Sequence, residues 1–304
     1  MPKILCCGEA LIDMLPSDGG FMPACGGAAF NTAIALGRLG ASVGFFSGLS
    51  SDFFGDMLRG SLQASGVDSR LAITSARPCT LAFVRLVEGH AQYAFYDEGT
   101  AGRMLDAGDI PALPDTVQAL FFGGISLVSE PCATAYEALM MREAPARVTM
   151  IDPNIRPGFI ADEASYRARI ERMLALADII KLSDEDLHWL RGAGDLADLA
   201  QAFLAAGAKL VLITEGAKGA TAYSTNHKVF MPATKADVID AVGAGDTFNA
   251  GILAALHQLD MLTKETLDTI DDAALTTALT LATRAAAITV SRSGANPPWA
   301  KDLT

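Results

Sequence analysis

Residues 240–251, Asp-Ala-Val-Gly-Ala-Gly-Asp-Thr-Phe-Asn-Ala-Gly, bring together two glycines, a carboxylate and the start of an apolar run at helical spacing. That run continues through Phe248, Ile252, Leu253, Leu256 and Leu259. A glycine turn that opens a helix offers unpaired backbone N–H groups and the positive end of the helix dipole, and together these hold an anion. A carboxylate at Asp246 opposes such an anion unless it has separate work, and general-base chemistry beside a bound phosphate is such work. The same residues also read as a glycine turn with an aspartate N-cap, and the turn by itself leaves both readings open.

Other polar residues fall where they could serve such a turn. Gly26 and Gly27 lead into a small-residue helix expected over 32–40, with Asn31 able both to donate and to accept; tight packing on a sheet would select the same small residues. Glu9 and Asp13 follow the first strand-like run, 4–8, and ionised acids suit sugar hydroxyls, although Asp13 also reads as a solvated loop acid. Thr214-Glu-Gly216-Ala-Lys-Gly219 offers a hydroxyl, a lysine and close backbone approach, or simply a β-turn between two strands. Glu9, Asp152, Asn154, Arg156, Lys181, Ser183, Thr214 and Gly216 all lie at or just past the carboxyl ends of strand-like runs. In an open parallel sheet those ends share one edge, and ligands bind in the crevice there.

The elements needed to position these residues are legible as a rhythm. Short apolar runs ending near Gly8, Gly48, Gly123, Asp152, Leu182, Thr214 and before Asp240 alternate with helical patterns over 52–65, 132–143, 162–177, 184–190 and 196–206. Such alternation predicts an α/β fold with a doubly wound, mostly parallel sheet and helices on both faces. Residues 267–290 read as one or two alanine-rich outer helices. Two β-favouring runs, 80–87 and 91–96, flank Glu88-Gly89-His90 and predict an antiparallel hairpin outside the parallel sheet. The expected division is a main domain of residues 1–12, 25–78 and 101–304, with a small β lid from 13–24 and 79–100.

Bulk composition narrows the field. With 304 residues, 51% hydrophobic and 19% charged, the chain can bury a sizeable core. A net charge of −12 argues against nucleic-acid or acidic-membrane partners. Five cysteines without a C-x-x-C pair, and four scattered histidines, give neither zinc spacing nor a disulfide framework, as expected of a cytoplasmic protein. The sequence shows neither a signal peptide nor an uninterrupted apolar span long enough for a bilayer. It has no G-x-x-x-x-G-K-[ST], no complete G-x-G-x-x-G because Phe248 takes the third glycine's place, and no G-x-S-x-G.

Gly26-Gly27-Ala-Ala-Phe-Asn31, with Gly37 and Gly40 behind it, and Asp240-Ala-Val-Gly243-Ala244-Gly245-Asp246 resemble the two signatures of the ribokinase-like (PfkB) carbohydrate kinases. The likeness extends to Gly8-Glu9-Ala-Leu-Ile-Asp13, Asp152-Pro-Asn154-Ile-Arg156, the 214–219 turn and the ending 291–299. It implies transfer of a phosphoryl group from Mg·ATP to a sugar hydroxyl, with Asp246 as base. Gly243, Ala244 and Gly245 would supply N–H groups to the phosphoryl, and Arg156 positive charge. Asp13, Gly26, Gly27, Asn31, Tyr96 and Asn154 would bind the sugar. Lys181, Ser183, Thr214, Gly216 and Gly219 would line the ATP site. Asp186 would serve Mg²⁺ through a water, while Asp240, Arg292 and Gly294 would border a monovalent-cation (K⁺) loop. A homodimer through the lid is also implied.

Three departures stand out. The family's Asn-x-x-Glu is Ser183-Asp-Glu-Asp186, its Gly-x-Asp is Ser50-Ser51-Asp52, and Ala241 replaces a threonine. Within the family the motifs look most like bacterial fructokinases, which implies fructose as acceptor and fructose 6-phosphate as product. The alternatives are 2-keto-3-deoxygluconate kinase, ribokinase and nucleoside kinase. Asp97 and Glu98 in the lid would repel an acidic sugar, and Arg103 would counter them. A reading from another class, a sugar- or nucleotide-binding regulator without catalysis, is disfavoured by the intact turn at Asp246.

Overall fold

A computed structural model of the chain describes residues 1–87 and 90–303. In chain order, β1 (Ile4–Cys7) enters the sheet core, β2 (Leu11–Ser17) and β3 (Gly20–Gly26) form a hairpin, and α1 (Ala28–Arg38) returns to the main body. There follow β4 (Val43–Phe46), β5 (Gly48–Ser50), α2 (Phe53–Ala64) and β6 (Ile73–Ser75), then the pair β7 (Leu81–Val87) and β8 (His90–Tyr96). The βα alternation then resumes with β9 (Ala119–Gly123), α3 (Cys132–Glu143), β10 (Val148–Asp152), α4 (Glu163–Leu174) and β11 (Ile179–Ser183). After α5 (Asp184–Arg191) and α6 (Leu196–Ala205) come β12 (Leu210–Thr214), β13 (Gly219–Tyr223) and β14 (Lys228–Pro232). The chain ends through α7 (Ala244–Gln258), α8 (Lys264–Asp268) and α9 (Asp272–Val290).

The main sheet has eight strands in the order β14-β13-β12-β11-β10-β9-β1-β4, parallel except for β13 and β14 at one edge. Its central strands are apolar runs because both faces are covered. Ile4, Cys6, Phe121 and Leu212 point into one core layer, beneath α1, α2, α7, α8 and α9. Their neighbours Leu5, Cys7, Phe122 and Ile213 point into the other, beneath α3 to α6. The alanines and glycine of α7 and α9 allow near contact of backbones: a Cβ on Gly251 would lie 2.4 Å from Ala282 Cα. By length and composition α9 is long and apolar enough to cross a membrane, yet half of its apolar window is buried in the fold.

Two expectations shift. The helix foreseen over 32–40 begins earlier, at Ala28, because Gly27 (φ 109°) turns the chain and the Glu9 carboxylate accepts the Ala28 N–H at 2.8 Å in place of a local cap. The strand foreseen just before Asp240 ends at Pro232 instead, and 233–243 is loop. The short connection after β12 can only fold β13 back antiparallel, and β14 follows it as the sheet edge. At Ser50-Ser51-Asp52 the turn is well formed: Asp52 caps α2 through Gly55 N (2.9 Å) and also accepts from Cys79 N (3.1 Å).

A separate sheet, in the order β3-β2-β7-β8, stands apart from the main one. The expected hairpin is its β7–β8 pair; of the expected turn, Glu88 and Gly89 lie outside the described residues. Strands β2 and β7 run parallel, with Asp13 opposite Ala82, and Ala82 in turn opposite Phe95. These three residues therefore share one face of the small sheet.

Candidate active site

The strand order reverses at β1, whose chain goes on to β4 on one side while β9 lies on the other. Such a switch point opens a crevice at the carboxyl ends of the strands. Glu9 lies in it, half-buried, and its carboxylate accepts Ala28 N at 2.8 Å and Ser126 N at 3.2 Å. Gly124 leaves the room for it, since a Cβ there would meet Glu9 Oε1 at 2.0 Å. Burial raises the Glu9 pKa, while the backbone N–H donors pull it down. Glu9 thus ties the start of α1 to the end of β9, holding the base of β2 and β3 to the main sheet.

The turn before α7 has the geometry expected of an anion site. Gly243 is left-handed (φ 78°, ψ 2°) and α7 starts at Ala244, so its first N–H groups point out of the helix end. Asp246 is buried in the first turn of α7 and accepts from Asn31 Nδ2 at 2.9 Å, while Thr32 Oγ1 donates to its backbone carbonyl. Burial raises its pKa to about 7; the Asn31 hydrogen bond opposes the rise, the negative charge of Asp152 adds to it and Lys181 counters it. A carboxyl that titrates near neutrality, packed at an anion-binding helix end, can take a proton from a substrate hydroxyl.

Behind the turn, Lys181 Nζ is 2.9 Å from Asp152 Oδ2, and Asn249 Nδ2 donates to the same oxygen at 2.7 Å. Asn154 donates its backbone N–H to Asp152 Oδ1 at 3.1 Å and holds a left-handed φ of 47°. Asp186 is buried nearby; burial raises its pKa, Asp152 adds to the rise, and Lys181 counters it.

The pfkB family carbohydrate kinase pattern matches residues 1–302. The chain belongs to this family. A fructokinase from Rhizobium leguminosarum bv. trifolii is 55% identical over 277 residues, spanning 90% of this chain and 85% of that protein. The fructokinase of Xylella fastidiosa with bound ATP superposes with a TM-score of 0.90 at 29% identity, covering 100% of this chain and 98% of the other. A Vibrio cholerae O395 fructokinase double mutant, in a form with fructose, ADP and potassium ion bound, gives 0.85 at 25% identity, covering 97% and 94%.

The remaining residues expected to serve this carbohydrate kinase are placed differently. Brought toward the crevice are Asp13, Gly26 and Gly27. Burial pushes the Asp13 carboxyl up to about 6, and Gly26 makes space for it, a Cβ there falling 2.3 Å from Asp13 Oδ2. Committed elsewhere are the Ser183 hydroxyl, which caps α5 by accepting Asp186 N at 3.0 Å, and Arg292, whose guanidinium goes to Pro297 O and Asp302. Gly219 is required by β14, since a Cβ would meet Met231 O at 2.2 Å; Gly216, by contrast, faces open space. Thr214 sits beside Ser183 in register, its hydroxyl 3.5 Å from Leu182 O. Arg156 is exposed and donates to its own neighbour's carbonyl, Ile155 O, at 2.9 Å. Asp240 accepts from Gly294 N (2.9 Å) and Val242 N (3.0 Å), closing the 291–296 loop onto the segment before the turn.

Tyr96 points away from Asp13. It lies on the opposite face of β8 from Phe95, 62% exposed, with its ring edge-on to Phe83 at 5.5 Å. Alternation along the strand gives Phe95 the Asp13 face, and its ring packs on Phe159 at 4.5 Å, in the 3₁₀ turn Pro157–Phe159 that follows Arg156. Asp97 meets the counter-charge that Arg103 offers in the sequence. Arg103 pairs with it at 2.8 Å, so its charge is compensated rather than turned on a ligand. Asp152, Asn249 and Phe95 escaped sequence reasoning as site residues. Of these, only Asp152 was signalled, by its place at a strand end and in the 152–156 stretch that resembles the family.

Proposed function

We propose that the chain is an ATP-dependent fructokinase, transferring the γ-phosphoryl group of Mg·ATP to the primary hydroxyl at C6 of fructose. The observation that carries the chemistry is Asp246, buried beside Asn31 in the helix turn opened by Gly243. In the reaction, the carboxylate of Asp246 takes the hydroxyl proton as the sugar oxygen attacks phosphorus in line, and ADP leaves. The N–H groups of Gly243, Ala244 and Gly245, with Arg156 and Lys181, offset charge on the phosphoryl oxygens. Asp13 and Asn31 accept and donate to sugar hydroxyls against the small Gly26 and Gly27, and Asn154 borders the same space. Thr214 and Gly216 flank the nucleotide.

The buried carboxylate of Asp186 would hold Mg²⁺ through a water, since Mg²⁺ keeps several waters and needs few protein ligands, and the ion would supply positive charge to the phosphates. The loop closed by Asp240 and Gly294 suits a monovalent cation. The sheet of β2, β3, β7 and β8, which takes in most of the expected lid segments 13–24 and 79–100 and runs on to residues 11 and 26, acts as a lid, with Phe95 on Phe159 bringing it to the crevice. Its outer face carries Phe21, Phe83 and Tyr96 in edge-to-face contact and serves a homodimer. A cytoplasmic location accords with this chemistry.

Fructose is favoured by the 55% identity to the Rhizobium fructokinase and by Arg103, whose pairing with Asp97 leaves it poorly placed to receive an acidic sugar. An ADP-release assay across fructose, ribose, glucose, 2-keto-3-deoxygluconate and adenosine, with and without K⁺, tests the assignment. Fructose is expected to give the highest kcat/KM. Turnover only with the keto acid would overturn the substrate, and binding without any sugar phosphate would revive a non-catalytic regulator.

The base must be ionised to act, and burial raises its pKa to about 7. A raised carboxyl pKa leaves the group protonated as pH falls through that value. The expected result is that kcat/KM for fructose falls with decreasing pH below about 7, on a limb that reports the free enzyme. A limb at the usual carboxylate value, near 4, would show that the titrating base is not this buried group.

A further inference from the structure

We propose that Asp152, Lys181 and Asn249 work as one positioning group: Asp152 and Asn249 hold the Lys181 ammonium against the turn of residues 243–245, where it meets the anion received there. The inference rests on the kinase reading above and adds two residues that reading does not use. Lys181 and Asp152 are both deeply buried, with side chains 6% and 2% exposed. An ion pair so far from water forfeits solvation that its mutual attraction rarely restores, which points to a role other than stability. Its placement supplies that role. A side chain starting at Gly245 would begin 3.4 Å from Lys181 Nζ, which puts the ammonium directly beside the helix end.

Asn249 lies on α7 one turn beyond Asp246, so its 2.7 Å bond to Asp152 ties the pair to the same helix that carries the base. Its carbonyl oxygen is fully buried and finds no donor. A water donating to it would satisfy that oxygen. Lys181 has three N–H donors and one is spent on Asp152, which leaves two for the anion.

The charged groups that bear on Asp246 are Asp152 from the end of β10, Lys181 from β11 and Glu9 from beyond β1. The first and third oppose its ionisation and the second favours it. Removing Lys181 and removing the Asp152 charge must therefore move the acid limb of kcat/KM in opposite directions, which damage to packing alone would not do.

The test uses the full chain with fructose and Mg·ATP, and measures ADP affinity by calorimetry. Lys181→Met is expected to lower kcat about 10²-fold, weaken ADP and shift the acid limb to higher pH. Asp152→Asn shifts the limb to lower pH. Asp152→Asn combined with Lys181→Met removes both charges, a change that folds tolerate well, and remains slow. Asn249→Ala alters no charge and is expected to be about 10-fold slower with fructose KM and the acid limb in place. Recovery of full kcat in the double variant would reduce the pair to a structural feature and overturn the proposal. So would limb shifts of the same sign in the two single variants, or an undiminished kcat in Asn249→Ala. Asp246→Asn run alongside separates the two readings. If that variant keeps its kcat the base assignment fails, whereas losses in kcat and ADP affinity on changing Lys181 still judge the positioning group.

Discussion

Asp246→Asn is expected to lower kcat for fructose phosphorylation by about 10²-fold or more while leaving affinity for ADP within a few-fold. The substitution keeps shape, and the amide oxygen can still accept from Asn31 Nδ2, now 2.9 Å from Asp246 Oδ2. What is lost is the proposed acceptor for the hydroxyl proton. The same change is expected to raise Tm, most clearly above neutral pH. The folded pKa of Asp246 lies above the ordinary carboxylate value, at about 7. The folded state therefore holds a proton that the unfolded chain releases, and stability drains away as pH rises between the two values. Above the folded value the buried charge exerts its full cost, and an amide does not carry it. Loss of activity coupled to a gain in stability marks a group strained for function. Parallel loss of activity and Tm would instead mean that Asp246 is structural, and unchanged kcat would remove it from the mechanism.

The parts of the fold that proved legible are those where local pattern and burial agree. Runs such as Ile4–Cys7 and Leu210–Thr214 are apolar on both sides because helices cover both sheet faces. The helix Cys132–Glu143 has the bounds its periodicity implies. The left-handed glycine and the helix start that carry Asp246 were legible because turn and helix are adjacent in the sequence. The less legible features depend on partners far along the chain. Phe95 and Tyr96 differ by one residue, and which of them joins Asp13 is decided by the pairing of β7 with both β2 and β8. Asp152 and Asn249 are 97 residues apart and meet only because α7 packs across the end of β10. The early start of α1 was hidden for a similar reason, since its cap is a side chain 19 residues upstream. In each case the missing information is tertiary, and propensity or spacing has no term for it.

Gly243→Ala is expected to cut kcat by about 10²-fold, because displacements on the order of 1 Å at a reacting centre have effects of that size. The residue has φ 78° and ψ 2°, a left-handed conformation that costs a side-chain-bearing residue about 1–2 kcal/mol. The methyl group would also stand 2.8 Å from Ala295 Cβ and 3.0 Å from Ala295 Cα, closer than carbon atoms pack. Neither contact can be relieved by turning a flexible side chain, so either the turn or the 291–296 loop must move. Moving the turn withdraws the N–H groups that open α7. Moving the loop strains the Asp240 bond to Gly294 N, now 2.9 Å, and with it the proposed cation site. The proposed fructose contact at Asp13 lies on another element, so fructose KM is expected to stay within a few-fold while kcat and K⁺ response fall together. Gly245→Ala provides the contrast: its Cβ would meet only Lys181 Nζ, at the ordinary contact distance of 3.4 Å. That variant is expected to fold with Tm unchanged but to bind ATP more weakly, because the methyl occupies space at the helix end. Equal Tm losses in the two variants, or a Gly243→Ala enzyme with undiminished kcat, would mean that the shape of the turn is not what the chemistry depends on.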